Sequence, residues 1–186
     1  MVGPYLAERF SPRTFVPMAV VIAGAASGGS LSGVRLGIDA AFALLLLAQF
    51  RSWDDLADRG RDAVSHPDRV LVRAISIAPI VAFSGALAIL NICLAIQRDD
   101  SGIAVAVLLA LIATLGAWYS HRTGRTVAGD LLLLSKYPAM VIVVAGARVL
   151  SAPVQILCAA FALHLAICFY EVWHDPGSPL SIGGHR

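Results

Sequence analysis

The sequence predicts an all-α protein, a polytopic transmembrane helical bundle of about six helices. Three observations lead there. Of its 186 residues, 58% are hydrophobic and only 14% charged, against roughly 45–50% and about 25% in an average soluble domain. The mean hydropathy is +0.78. Apolar runs close to membrane length also recur along the chain, and a helix needs about 20 such residues to cross roughly 30 Å of hydrocarbon. The length suits a single transmembrane domain over residues 1–186. A net charge of +2, with no basic run interleaved with aromatics, argues against a nucleic-acid partner.

The expected spans are 15–31, 36–53, 72–96, 103–119, 130–150 and 154–173. The first is interrupted by Pro17 and closed early by Gly28 and Gly29. Arg9 and Arg13 before an apolar run ending Ala23-Gly24-Ala25 give it some signal-peptide character, which is the minor alternative. The second is short and must stand nearly upright or thin the bilayer. Gly24, Gly28, Gly85, Gly116 and Gly146 interrupt otherwise aliphatic runs. Small residues let membrane helices approach closely, so a compact bundle is expected. Cys93, Cys158 and Cys168 all fall in apolar stretches without CxxC spacing, as small hydrophobes do.

Orientation follows from the basic residues of the loops. One side collects Arg9, Arg13, Arg51, Arg59, Arg61, Arg69, Arg73, Arg122, Arg125 and Arg186, and the other Arg35, Arg98 and Arg148. The expectation is an integral protein of a prokaryotic inner (cytoplasmic) membrane with both termini cytoplasmic.

The remaining polar residues gather at that cytoplasmic face. After the second span comes an acidic segment, Arg51-Ser52-Trp53-Asp54-Asp55-Leu56-Ala57-Asp58-Arg59-Gly60-Arg61-Asp62, read as a long acidic loop. If the helix continues through it, Asp55, Asp58 and Asp62 share one face. Like charges so spaced repel unless a cation lies between them. Mg²⁺ suits the place, being held by one or two carboxylates plus substrate phosphates. The bland alternative is a solvated helix surface with Asp55–Arg59 and Asp58–Arg61 ion pairs, each worth little. A second acidic pair, Glu171 and Asp175, ends the sixth span on the same face beside Tyr170 and Trp173. Alone it reads as interfacial carboxylates in an aromatic belt. Two clusters ending two helices on one face could grip a diphosphate through two metal ions.

Cations complete the pattern. Tyr119, His121, Arg122 and Arg125 follow the fourth span. Lys136, the only lysine, lies inside the fifth span, where an ionisable residue is a functional-site hypothesis by default. Its bland alternative is snorkelling to the headgroups. Ser65-His66-Pro67-Asp68-Arg69 stops the helix at proline and lets Arg69 turn back. His164, mid-span, reads as a hydrogen-bonded bundle residue.

These residues resemble the UbiA-type (4-hydroxybenzoate polyprenyltransferase-like) membrane prenyltransferases. The family's N/D-D-x-x-D-x-x-x-D motif and its Pro-x-Arg turn look like Asp54-Asp55-Leu56-Ala57-Asp58-Arg59-Gly60-Arg61-Asp62 and Pro67-Asp68-Arg69. Its tyrosine and basic residues after helix four look like Tyr119, Arg122 and Arg125, its lysine in helix five like Lys136, and its second acidic motif like Glu171 to Asp175. The likeness covers nearly the whole chain, which stops just past the second acidic motif and so lacks the family's last helices.

The resemblance implies Mg²⁺-dependent transfer of a prenyl group from a prenyl diphosphate to an acceptor within the membrane. Asp54, Asp55, Asp58, Asp62, Glu171 and Asp175 would hold Mg²⁺. Arg51, Arg69, Arg122, Arg125 and Lys136 would bind the diphosphate, with Lys136 and Tyr119 catalytic. A homo-oligomer or a partner membrane subunit would supply the missing wall. The alternative is a non-catalytic scaffold or prenyl-lipid-binding protein of the same fold. A CDP-alcohol phosphotransferase is disfavoured because Asp58-Arg59-Gly60-Arg61 lacks that family's D-G-x-x-A-R pattern. A small transporter is disfavoured because most charges sit at the span ends.

Overall fold

The computed structural model describes residues 1–30, 32–98, 100–175 and 177–181. Among these every regular element is a helix. In chain order they are α1 (Val2–Arg9), α2 (Pro12–Ala25), α3 (Gly33–Ser65), α4 (Val70–Arg73), α5 (Ala78–Arg98), α6 (Ile103–His121), α7 (Val127–Leu134), α8 (Lys136–Ala145), α9 (Arg148–Ser151) and α10 (Pro153–His174). Among the described residues five stretches are long and apolar enough to cross a membrane: α3, α5, α6, α7 with α8 as one stretch, and α10. That number and composition mark an integral membrane protein.

Four of the expected spans differ in detail. The third, expected from Val72, begins at Ala78, because the chain first closes the short α4 at Arg73. The other three differ each for a local reason. The first is the 14-residue α2, which at 1.5 Å per residue is about 21 Å long, short of a full crossing. Pro17 lies inside it, and the chain leaves it through Gly28 and Gly29 at φ +62° and +90°. The second grows to the 33 residues of α3, about 50 Å. Nothing between Trp53 and Ser65 stops a helix except Gly60, so the acidic segment read as a loop is helical up to the residue before His66-Pro67. The fifth divides into α7 and α8 at Ser135. Pro138 has no N–H to give the Leu134 carbonyl, and the Ser135 hydroxyl turns back to the Leu132 carbonyl at 2.7 Å. Gly146, at φ +55°, then ends α8 short of the expected Leu150.

The chain forms two compact units, Met1–Val21 with Ser32–Leu94 and Ile22–Leu31 with Ala95–Arg186. In the first, Phe42, Leu46, Leu47 and Phe50 form the buried stripe of α3. Asn91 of α5 is fully buried and donates to the Gln49 side chain at 2.8 Å and to the Leu45 carbonyl at 3.2 Å. Such polar pairs join membrane helices where lipid offers no hydrophobic contrast. A smaller core of Tyr5, Leu71 and Ile80 sits beyond the end of that stripe, with Val2, Leu6, Leu56, Val70 and Ile77 packed on it.

In the second unit α8 is the central element, packed on both α6 and α10. Its Met140, Val141, Val143, Val144 and Ala145 are buried, as are Leu108, Leu111 and Leu115 of α6 and Ile156 and Ala160 of α10. Pro153 opens α10 at a first-turn position, where its missing N–H costs nothing. Arg148 ties off α8 by donating to the carbonyls of Ala145 and Val144 at 3.0 and 2.6 Å, satisfying two of the acceptors a helix C-terminus leaves open.

Candidate functional site

The expected site residues fall into two ionic clusters, one in each unit. The first is built on the end of α3, whose unbroken helix places Asp55, Asp58 and Asp62 one and two turns apart. Asp55 is 4% exposed, and both of its carboxylate oxygens accept hydrogen bonds. The Tyr5 hydroxyl donates to Oδ2 at 2.9 Å, Arg9 Nε donates to Oδ2 at 3.0 Å, and Arg9 Nη2 donates to Oδ1 at 2.7 Å. Arg51 adds its charge, with Nε 3.3 Å from Oδ2 but without hydrogen-bond geometry. The hydrogen bond to Asp55 holds the Arg9 guanidinium above its ordinary range, against the cost of burial. Burial, reinforced by the Asp55 charge and hydrogen bond, pushes the Tyr5 phenol up, so it stays a donor.

Asp62 is ion-paired to Arg69, with His66 Nδ1 3.9 Å away. The Pro67 turn therefore does return Arg69 to the acidic face. Asp58 pairs with Arg61 at 3.2 Å on the exposed side. Asp54 is half-buried one turn before it. Arg59 is spent elsewhere, its Nε donating to the Leu71 carbonyl at 3.1 Å, so the expected Asp55–Arg59 pair gives way to Arg9.

Arg125 organises the second cluster. Its Nη2 donates to Asp130 Oδ2 at 2.8 Å and to Glu171 Oε1 at 3.1 Å, and its Nη1 to Asp175 Oδ2 at 2.6 Å. Ser178 Oγ adds a 3.3 Å bond to the buried Asp130. Two helix ends meet there. Asp130 lies in the first turn of α7, where negative charge is favoured, and Glu171 in the last turn of α10, where it is not. One guanidinium is shared by these two carboxylates and Asp175. Burial works against the Arg125 charge, and the bonds to Asp130 and Asp175 outweigh it and hold the group above its ordinary range. The Arg125 bond likewise holds Asp175 below the usual carboxylate range, helped by the Gly177 N–H on Oδ1.

Lys136 belongs to the second unit. It is 7% exposed inside the Val127–Ala145 stretch, at the first residue of α8, with its Nζ 5.5 Å from the Tyr137 ring centre. Tyr119 ends α6 with the Arg122 guanidinium 4.9 Å over its ring, a cation–π contact.

The structure thus joins Arg51, Asp55, Asp62 and Arg69 within the first unit, and Arg125, Glu171 and Asp175 within the second. Among the described residues no three His, Cys, Asp or Glu side chains come together as a metal-binding group. Both Asp55 oxygens accept hydrogen bonds from Arg9 and Tyr5, and Asp62 is ion-paired to Arg69, so Asp55 is not open to share a Mg²⁺ with Asp54, Asp58 and Asp62 in this arrangement. Reading the sequence missed Tyr5, Arg9, Asp130 and Ser178 as partners. A signal existed for the first two: Glu8-Arg9 one turn after a tyrosine, in a helix-length segment ahead of the first apolar run. No protein-family model, curated protein or solved structure matches the chain.

Proposed function

We propose that the protein binds a prenyl diphosphate in the membrane and transfers its prenyl group to an acceptor there. The observation that supports this most is Lys136. A lysine buried within a membrane span is costly, and such residues mark sites for ions and charged substrates. It sits at the first residue of α8, beside the break at Ser135, and an ammonium group there suits an anion. The acidic helix supports the same reading through the family resemblance, since Arg69 is folded back on Asp62 as a Pro-x-Arg turn requires.

In this proposal Mg²⁺ has a narrower seat than four aspartates. Asp54 and Asp58, one turn apart, would hold it together with diphosphate oxygens, and the metal would supply charge neutralisation for the leaving group. Taken by itself, the second unit carries in Lys136, Arg122 and Tyr119 the residue types that hold phosphate oxygens, and apolar helices would keep water from the reacting carbon.

The proposed topology places both termini on the cytoplasmic side of an inner membrane, as the arginine asymmetry suggests. One relation in the first unit supports it. Arg9 is held by Asp55, which lies 22 residues after the start of α3 at Gly33, or about 33 Å along the helix. Residues 10–32 must cover that distance, so the segment containing α2 would act as a sixth crossing, although its helix is short.

A second reading, prenyl-lipid binding without turnover, is favoured by the hydrogen bonds that engage both Asp55 oxygens. The two separate in one experiment on the purified protein. Binding of geranylgeranyl diphosphate is measured with and without Mg²⁺, in wild type and in Asp58→Asn, Asp175→Asn and Lys136→Gln, alongside release of diphosphate. Mg²⁺-dependent binding lost in Asp58→Asn and Lys136→Gln is the expected result. Binding without diphosphate release in the presence of candidate acceptors selects the second reading, and no binding in wild type overturns both.

A further inference from the structure

The first helix is only eight residues long, yet four separate contacts hold it. Tyr5 is 2% exposed and packs with Leu71 and Ile80, while Val2 and Leu6 cover the same cluster. Its hydroxyl and the two Arg9 nitrogens end on Asp55. Glu8 Oε2 accepts the Val70 N–H at 2.9 Å, capping the first turn of α4. An isolated helix of this length is unstable in water, so α1 owes its form to these contacts.

The chemistry at Asp55 has one distinguishing feature. A carboxylate offers about four acceptor directions, and three are filled by donors from α1. The guanidinium fork meets the carboxylate in the two-pronged geometry that gives both strength and direction. A surface ion pair would be held by Coulomb attraction alone and weakened by salt. This one is part-buried and doubly hydrogen-bonded, and breaking it leaves the buried Asp55 carboxylate with Arg51 as its remaining cation, 3.3 Å away without hydrogen-bond geometry.

We propose that Asp55 is the receptor for the N-terminal helix and not a cation ligand, with α1 acting as a strap whose own cation, Arg9, closes the acidic end of α3. The aspartates of α3 then divide their labour. Asp55 holds α1, Asp62 holds the turn that carries Arg69, and Asp58 faces solvent with Arg61. The strap stands whether or not the protein uses a prenyl diphosphate.

The test is backbone hydrogen exchange of the full-length protein in detergent, comparing residues 4–10 with α6 and α8. Asp55→Asn and Arg9→Gln should each accelerate exchange in α1 on the order of tenfold or more while α6 and α8 keep their protection. Arg9→Lys, which keeps the charge but loses the fork, should fall between wild type and Arg9→Gln. Millimolar Mg²⁺ should leave α1 exchange unchanged. Unaltered α1 protection in Asp55→Asn and Arg9→Gln overturns the proposal, since apolar packing alone would then hold the helix. Faster α1 exchange on adding Mg²⁺ overturns it too, because the ion would be competing for Asp55. If Asp55→Asn fails to fold, Arg9→Gln and Tyr5→Phe decide the matter.

Discussion

The indole of Trp118 lies so close to Gly129 that a methyl group on that glycine would overlap it. Trp118 belongs to the last turns of α6 and Gly129 to the first turn of α7, where the Thr126 side chain caps the helix by accepting the Gly129 N–H at 3.0 Å. Glycine is therefore needed for close approach and not for backbone freedom. Gly129→Ala should destabilise the protein by about 1–3 kcal/mol, the usual cost of overpacking. In a Trp118→Leu background the same substitution should cost much less, and thermal unfolding in detergent of the four variants measures the coupling.

The Gln49–Asn91 pair makes a second prediction. Removing Asn91 as leucine strands the Gln49 amide inside the bundle and should cost about 1 kcal/mol, the scale of side-chain hydrogen bonds between membrane helices. The Gln49 Nε2 and Asn91 Oδ1 atoms already lack partners, so replacing both residues by leucine should cost less than the sum of the single changes. Equal and additive losses would show that the two amides do not act as a pair.

Acid should reveal the Arg125 cluster. The folded state holds Asp175 below its ordinary 3.8. A depressed carboxylate contributes stability that is present above its unfolded pKa and lost as pH falls through the folded one. Wild type should therefore be more heat-stable than Asp175→Asn at pH 5 to 7, with the difference closing below about pH 3.8. A gap that persists undiminished into stronger acid would assign the effect to packing.

How much of this could be read in advance depended on the range of the interaction. Hydropathy placed the bounds of α6 and α10 closely and found the apolar cores of α3 and α5, because lipid burial acts on every residue of a span independently. Breaks were harder. Pro138 was visible, but whether a proline bends a span or ends it depends on what repairs the Leu134 carbonyl. The acidic face of α3 was legible because Asp55, Asp58 and Asp62 are related by helical period alone. Their partners were not, since Arg9 and Asp55 are 46 residues apart and no local rule connects them. The same separation hid Ser178 from Asp130, 48 residues away.

That long reach also bears on how the chain is made. At about 5–20 residues per second, the strap leaves the ribosome several seconds before the aspartate that receives it. Leu71 and Ile80, which bury its tyrosine, come later still. During that interval α1 has neither the length to be a stable helix nor its partners, and Arg9 and Glu8 stay hydrated. The first helix of the chain is therefore among the last to take its form.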